Sequence, residues 1–115
     1  MPALPATPAG LSVFFPAYND SGTIASMVIR AVQAASELTP DYEVIVVNDG
    51  SADATAQIAD ELARTYPQVR AIHHPINRDY GAALQTGFRS AAKALIFYTD
   101  GDARPHPLNR FRAMV

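Results

Sequence analysis

Short runs rich in apolar residues alternate along this chain with longer segments of helical periodicity. The runs cover residues 11–15, 43–47, 69–73 and 95–98 and predict four strands, of which the third is the weakest. They lack strict alternation of polar and apolar positions, as expected for strands buried on both faces. Between them, apolar residues recur every three or four positions and predict helices. This order predicts an α/β fold with a mainly parallel sheet between helices.

Local signals place the helix ends. Asp20 or Ser21 is expected to cap the first helix, and Asp53 is expected to open the second. The third helix is predicted over residues 80–93, and Pro107 suits the first turn of a further helix that runs to the end of the sequence. Ligands of open parallel sheets bind at the carboxyl ends of the strands, so the loops that follow the four strands form the candidate site.

The first two loops carry groups that suit a nucleotide. Pro16 stiffens the first loop, Tyr18 offers a flat face to a base or a hydroxyl to a phosphate, and Asp20 can accept hydrogen bonds from a base or a ribose. In the second loop, Asp49 can accept from the ring N–H of a base, and Gly50 permits a tight turn close to the ligand. Ordinary turn and helix-cap chemistry explains both loops as well, so this alternative stays open.

The third loop leads into a helix that begins with small residues. Backbone N–H groups there can approach a phosphate, which the helix dipole favours, and Arg78 can add a charge-assisted hydrogen bond. The alternative is that Gly81 and Gly87 only allow close packing of the helix on the sheet. Just before this loop, His73 and His74 are neighbours on a strand and point to opposite faces, so they cannot chelate one metal ion. One is expected to be exposed and the other packed.

The fourth loop contains two carboxylates one residue apart. Asp100, Gly101 and Asp102 follow a buried strand, and Mg²⁺ or Mn²⁺ prefers such oxygen ligands together with substrate phosphates. A polar turn is the alternative for the tripeptide alone. His106 lies close by as a metal neighbour or as a cap for the following helix.

Composition narrows the class of protein. The chain has 115 residues, which is one domain or a piece of one, and its net charge of −2 gives no electrostatic footprint for nucleic acid. It contains no cysteine, so disulfides and thiolate metal sites are excluded. Residues 1–10 hold no lysine or arginine and are interpreted as a disordered leader rather than a signal peptide. No apolar stretch approaches the roughly 20 residues that span a bilayer.

Four sequence motifs, in the order in which they occur, resemble those of a known protein family. The strings V-F-F-P-A-Y-N-D, V-I-V-V-N-D-G-S-A-D, N-R-D-Y-G-A-A-L-Q-T-G-F and I-F-Y-T-D-G-D resemble the amino-terminal half of a family 2 glycosyltransferase of the dolichyl- or polyprenyl-phosphate mannosyl- or glucosyltransferase branch. The resemblance implies a GT-A fold with a Rossmann-like, three-layer α/β/α arrangement. Residues 11–115 would form its nucleotide-sugar-binding half, truncated after the acidic motif.

The resemblance also implies a site and its ligands. A nucleotide diphosphate sugar, GDP-mannose or UDP-glucose, is the expected donor, and a lipid phosphate is the expected acceptor of the intact enzyme. The loops and the resemblance together give a nucleotide-sugar site made of Pro16, Ala17, Tyr18, Asp20, Asp49, Arg78, Gly81, Asp100 and Gly101. The resemblance assigns the reading of the base to Asp49 and the binding of Mg²⁺ or Mn²⁺ to Asp100 and Asp102, with the cation neutralising the diphosphate leaving group.

The sequence departs from this family pattern at several positions. Asp20 stands where glutamate is usual, and Asn48 replaces the first of two aspartates. Arg104 stands where this branch has a glutamine near the metal, and an arginine cannot ligate a cation but can contact phosphate. Family members continue into an acceptor half, so the catalytic base is expected beyond Val115.

The favoured hypothesis is metal-dependent transfer of a hexose from a nucleotide diphosphate sugar to a polyprenyl or dolichyl phosphate. The alternative is a nucleotide-binding fragment without turnover, because the acceptor half is missing. A sugar-nucleotide pyrophosphorylase is disfavoured, since the loop after the first strand is not rich in glycine and basic residues. We expect the chain to self-associate unless the missing carboxy-terminal half covers its sheet edge. We also expect a cytoplasmic location, peripheral to the membrane in the intact protein.

Overall fold

Five strands and three helices make up the described part of the protein. The structure, a computed structural model, describes residues 10–98 and the backbone of residues 112–114. In chain order, its elements are β1 (Leu11–Ala17), α1 (Ile24–Leu38), β2 (Tyr42–Asp49), α2 (Thr55–Thr65), β3 (Val69–His74), α3 (Tyr80–Ser90), β4 (Leu95–Tyr98) and β5 (Arg112–Met114). The four strands and three helices predicted from the apolar pattern are all present.

One sheet holds these strands in the order β3-β2-β1-β4-β5. β1 lies parallel to β2 and β4, and β2 lies parallel to β3, so the prediction of a mainly parallel sheet is confirmed. β5 pairs antiparallel with β4. The helix predicted from Pro107 to the end of the sequence is therefore wrong over Arg112–Met114, because that segment satisfies the edge of β4 as a strand. Pro107 and His106 lie outside the described residues.

Alternate residues of the central strands are buried on opposite faces of the sheet. Val13 and Phe15 of β1 pack with α1 and α2 in one apolar cluster. Phe14, between them in sequence, packs on the other face with α3, where the ring of Phe88 lies 5.0 Å away, centroid to centroid, in an edge-on arrangement. Burial of a side chain of this size contributes about 1.5–3 kcal/mol. Helices therefore cover both faces of the sheet, and the predicted three-layer α/β/α arrangement is confirmed.

The helix starts differ in part from the sequence prediction. α1 begins at Ile24, and its N-cap residue, Thr23, makes no side-chain cap hydrogen bond. Neither Asp20 nor Ser21 caps it with a side chain, because the Asp20 carboxylate turns back to accept from the backbone N–H of Tyr18. The N-cap residue of α2 is Ala54 rather than Asp53, although the Asp53 carboxylate accepts from the backbone N–H of Thr55, the first residue of the helix. α3 ends at Ser90 rather than at Lys93.

A buried carboxylate holds the segment between α3 and β4. Glu43, at the start of β2, accepts hydrogen bonds from the Ser12 hydroxyl at 2.6 Å, the Ala92 backbone N–H at 2.7 Å and the Arg70 guanidinium at 2.9 Å. Burial alone would raise the pKa of Glu43, but these hydrogen bonds outweigh it and hold the pKa below its usual value. The same contacts fix the entry of β4, the strand that leads to the predicted acidic motif.

Glu43→Gln is expected to lower the free energy of unfolding by about 2 kcal/mol, because the buried side chain that accepts hydrogen bonds from a hydroxyl, a backbone N–H and a guanidinium would lose its charge. Urea unfolding monitored by circular dichroism measures this loss. Asp41→Asn is the matched control, since the bond between the Asp41 carboxylate and Lys93 is exposed at the surface, where solvent screens it, so its loss should cost far less. Equal losses of unfolding free energy in Glu43→Gln and Asp41→Asn would contradict the role of Glu43 as a buried, charged acceptor.

Gly87 and Gly81 are expected to respond in opposite ways to alanine. A Cβ on Gly87 would overlap the ring of the fully buried Phe14, so overpacking by about 1–3 kcal/mol outweighs the gain of about 1 kcal/mol in helix propensity. A Cβ on Gly81 meets only Asp79 Oδ1, at 3.5 Å, so that variant should be neutral or slightly stabilised. Thermal melting of Gly87→Ala and Gly81→Ala decides this, and two stabilised variants would refute the packing role of Gly87.

Candidate functional site

An open pocket lies where the loops after β1, β2 and β3 meet. Its volume is about 360 Å³, within the range of small-molecule sites. The residues that line it are Pro16, Ala17, Tyr18, Asp20, Asp49, Asn77, Asp79, Tyr80 and Ala83. The structure therefore brings together the predicted site residues of the first two loops. Arg78 and Gly81 of the third loop are not in the lining, and Asp100, Gly101 and Asp102 lie outside the described residues.

The Asp49 carboxylate in this pocket accepts four hydrogen bonds. Its Oδ1 accepts from His74 Nδ1 at 2.7 Å and from the backbone N–H of Arg78 at 2.9 Å. Its Oδ2 accepts from the Asn77 side-chain amide at 3.1 Å and from the backbone N–H of Asp79 at 3.0 Å. A carboxylate offers about four lone-pair positions, so all of them are occupied.

These contacts set the charge state of Asp49. Burial of the side chain, which is 5% exposed, would by itself raise the pKa of the carboxyl group. The hydrogen bonds from His74 and from the backbone N–H groups of Arg78 and Asp79 act in the opposite direction and lower the pKa below its usual value. The pocket thus contains a fixed negative charge at neutral pH.

The loop after β3 depends on this charge and on a glycine in the loop after β2. Gly50 has a φ of 67°, and a Cβ there would collide with the backbone of Ile76 and Asn77. The tight turn predicted at Gly50 is present, although the backbone of Ile76 and Asn77, rather than a ligand, lies against it. The third loop is therefore packed directly on the second, and Asp49 supplies the hydrogen bonds between them.

Hydrogen bonds also join the first loop to the second. The backbone N–H of Asn19 donates to the Ser51 hydroxyl, and that of Asp20 donates to the Thr55 hydroxyl. The backbone N–H of Ser21 donates to Asp53, whose pKa is lowered to about 2 by hydrogen bonds from Thr55 first and from Ser21. Asp53 thus has a structural role, and Tyr18, half exposed, stands at the pocket mouth on a firmly held loop.

Asp79 occupies an unusual backbone conformation at the start of α3. Its φ is 100° and its ψ is 168°, a region of the map where side chains are strained by about 1–3 kcal/mol. Its carboxylate accepts from the backbone N–H of Ala82 and caps the helix. One of the N–H groups expected to approach a phosphate is therefore already satisfied by Asp79.

The two adjacent histidines lie on opposite faces of the sheet, as predicted. His73 is exposed and bonds Asp60 of α2 and the Asn48 side chain. His74 is buried and bonds Asp49 and Thr86 of α3. Neither histidine has a role predicted from the sequence, although in the parallel register of β2 and β3 Asn48 lies beside His73 and Asp49 beside His74. This pairing of polar residues on neighbouring strands is the feature of the sequence from which the contact between His74 and Asp49 could have been predicted.

No group of three or more metal-binding side chains occurs among the described residues, and the predicted ligands Asp100 and Asp102 are not among them. In the same part of the chain, no helix combines the length and the apolar character that a membrane crossing requires.

Comparison with known proteins decides the family. Residues 12–115, which are nearly the whole chain, match the family described as Glycosyl transferase family 2. The chain belongs to this family. The resemblance carried by the four sequence motifs is thereby confirmed. The pocket lies at the carboxyl ends of the parallel strands, where the rule for open sheets predicts ligands to bind.

Two curated relatives illustrate the likeness of this glycosyltransferase chain. Dolichyl-phosphate beta-glucosyltransferase of Trichomonas vaginalis is 42% identical over 93 residues, which cover 76% of this chain and 27% of the relative. Undecaprenyl-phosphate 4-deoxy-4-formamido-L-arabinose transferase of Pseudomonas fluorescens is 34% identical over 101 residues, which cover 84% of this chain and 29% of the relative. The chain thus spans less than a third of the length of these relatives.

Solved structures confirm the GT-A fold. Mannosyltransferase PcManGT from Pyrobaculum calidifontis, in complex with GDP-Man and Mn2+, matches with a TM-score of 0.73 at 26% identity, over 82% of this chain and 28% of that one. S. aureus TarS 1-349 in complex with UDP-GlcNAc matches with a TM-score of 0.69 at 25% identity, over 81% of this chain and 26% of that one.

Asp49→Asn is expected to lower the free energy of unfolding of this glycosyltransferase chain by about 3 kcal/mol at neutral pH. The reason is that the buried donors around this position would lose the negative charge to which they donate hydrogen bonds. The pKa of Asp49 is lower in the folded chain than in the unfolded one, where it is about 3.9. Its contribution is therefore complete above that value and is lost as the pH falls through the folded-state pKa. The difference between the two proteins should shrink below about pH 4.

Urea unfolding over a pH series measures this difference. Asp60→Asn is the matched control, because the Asp60 carboxylate bonds the other histidine but is 50% exposed, and its loss should cost about 0.5 kcal/mol or less. A gap between wild type and Asp49→Asn that does not change with pH would contradict the charged role of Asp49.

Proposed function

We propose that the pocket binds a nucleotide diphosphate sugar, GDP-mannose or UDP-glucose, and that the intact protein transfers its hexose to a polyprenyl or dolichyl phosphate. The observation that carries this proposal is the meeting of Tyr18, Asp20 and Asp49 in one pocket of a family 2 glycosyltransferase. The relatives named for lipid-phosphate transfer support the acceptor class, and the two solved complexes support the donor class. The location would be cytoplasmic, peripheral to the membrane.

Each pocket residue has a proposed contact with the donor. Tyr18, half exposed at the mouth, would stack on the base, and Asp20 would accept from the ribose hydroxyls. Asp49 would accept from a base N–H, which requires one of its present donors to move. Asn77 is the donor best able to do so, because the residue is exposed and its amide bonds Asp49 at 3.1 Å, the longest of the four contacts.

The charge of the pocket favours a bound cation. The described lining contains the carboxylates of Asp20, Asp49 and Asp79 and no lysine or arginine. A diphosphate placed here meets like charge and needs a positive partner. Asp100 and Asp102 are the residues proposed to hold Mg²⁺ or Mn²⁺, which would supply charge neutralisation of the leaving diphosphate when bound. Arg78, next to the pocket, is proposed to add a second positive charge.

In the proposed transfer, an oxygen of the acceptor phosphate forms a bond to the anomeric carbon of the sugar. The bond from that carbon to the diphosphate oxygen breaks, and its electron pair stays on the nucleoside diphosphate. The acceptor is already an anion, so no proton has to be removed from it. The residues described here would bind and orient the donor, and any catalytic base remains a prediction for sequence beyond Val115.

The binding step is tested by melting the chain with GDP, UDP, GDP-mannose or UDP-glucose, each with Mn²⁺ and with EDTA. A ligand at 100 times its dissociation constant stabilises by about 2.7 kcal/mol, which is visible as a rise in melting temperature. We expect a metal-dependent rise in melting temperature with the nucleotides of one base, guanine or uracil, and we expect this rise to be lost in Asp102→Ala.

Asp41→Asn, at the opposite end of the sheet, is the matched control and should keep the full rise. A folded chain that responds to none of the four nucleotides would refute donor binding and favour a fragment without this activity.

A further inference from the structure

A buried chain of hydrogen bonds connects α3 to the pocket carboxylate. Thr86 Oγ1 lies 2.8 Å from His74 Nε2, and His74 Nδ1 lies 2.7 Å from Asp49 Oδ1. The side chains of His74 and Asp49 are 6% and 5% exposed, so solvent screens this contact little. Neither His74 nor Thr86 lines the pocket, and neither is used in the proposed reaction.

The chemistry of the partners fixes the orientation of the ring. A carboxylate only accepts, so His74 Nδ1 must carry the proton that it shares with Asp49. In the neutral ring, Nε2 then accepts from the Thr86 hydroxyl, which can also accept if the ring is charged. Thr86 therefore holds the ring in the position that aims Nδ1 at Asp49.

We propose that His74, oriented by Thr86, is a positioning residue that fixes the Asp49 carboxylate and through it orders residues 77–79 beside the donor pocket. The backbone N–H groups of Arg78 and Asp79 and the Asn77 amide all donate to this carboxylate. Without the imidazole, Asp49 keeps only the donors of the loop itself, so the loop's common acceptor is held less firmly to β3. The inference rests on the proposed function only for the identity of the ligand.

The neighbouring histidine is a natural control. His73 bonds Asp60 on the other face of the sheet, where the two side chains are 34% and 50% exposed. It makes no contact with Asp49, the Asn77 amide or the loop N–H groups among the described hydrogen bonds. His73→Gln therefore removes a histidine from the same strand without touching the proposed network.

Two substitutions of His74 separate the two ring nitrogens. In His74→Asn the side-chain amide can replace Nδ1 and keep a donor for Asp49, whereas in His74→Gln it reaches the Nε2 position and keeps only the Thr86 contact. Thr86→Val removes the hydroxyl at nearly constant volume, and Thr86→Ser retains it. Two measurements apply to every variant of the 115-residue chain: amide hydrogen exchange at Arg78 and Asp79, and the dissociation constant for GDP and UDP with Mn²⁺ by calorimetry. The exchange-protected imidazole N–H proton signal of His74 is a third measurement, for the variants that retain His74.

We expect His74→Gln to speed exchange at both amides by about tenfold and to weaken nucleotide binding by about tenfold, since a hydrogen bond to a charged group is lost. His74→Asn and Thr86→Ser should stay within about threefold of wild type, and Thr86→Val should lose the protected imidazole signal. His73→Gln should change none of these readings.

The proposal is overturned if His74→Gln leaves the Arg78 and Asp79 exchange rates unchanged, or if His74→Asn is as impaired as His74→Gln. Should His74→Gln fail to fold, the comparison of Thr86→Val with Thr86→Ser decides by the same readings. Should wild type bind neither nucleotide, the proposed function fails, while exchange and the imidazole signal still decide whether His74 positions Asp49.

Discussion

The buried carboxylate of Asp49 is the interaction on which the pocket depends. An isolated carboxylate would be costly at this depth, and it is stable here only because donors surround it. They come from β3, through His74, and from the loop that follows β3, through two backbone N–H groups and an amide. The charge therefore joins the end of β2 to the entry of α3, and the shape of the pocket and the stability of this region share one cause.

The opposite end of β2 repeats the arrangement. Glu43 accepts from the Ala92 backbone N–H just after α3, while Asp49 accepts from the Asp79 backbone N–H just before it. The two carboxylates of one central strand thus hold both ends of the same helix. Between these ends, Gly87 lets α3 lie directly on the ring of Phe14. These contacts help to position α3, which places Thr86 against His74.

The sequence predicts this fold well because the apolar runs are local signals and strand burial is strong. It also predicts the lining residues Tyr18, Asp20 and Asp49, because the carboxyl ends of parallel strands share an edge. The role of His74 is different, since its partners are set by the register of β2 against β3 and by the depth of α3. The left-handed φ of Asp79 is likewise imposed by the fold. A side-chain cap at Asp20 was wrong for a similar reason, because the Asp20 carboxylate turns back to the Tyr18 N–H.

In the proposed function, binding of a base and ordering of the loop would compete for the same lone pairs of Asp49. His74 and the two backbone N–H groups are held by the fold, so they cannot leave without disturbing β3 or α3. Asn77 is an exposed residue, and its side-chain amide N–H is the same kind of donor as the ring N–H of a nucleobase. A base that replaces this amide exchanges one donor for another and leaves no buried charge unsatisfied. The proposed donor would therefore bind at Asp49 without loss of the interaction that shapes the pocket.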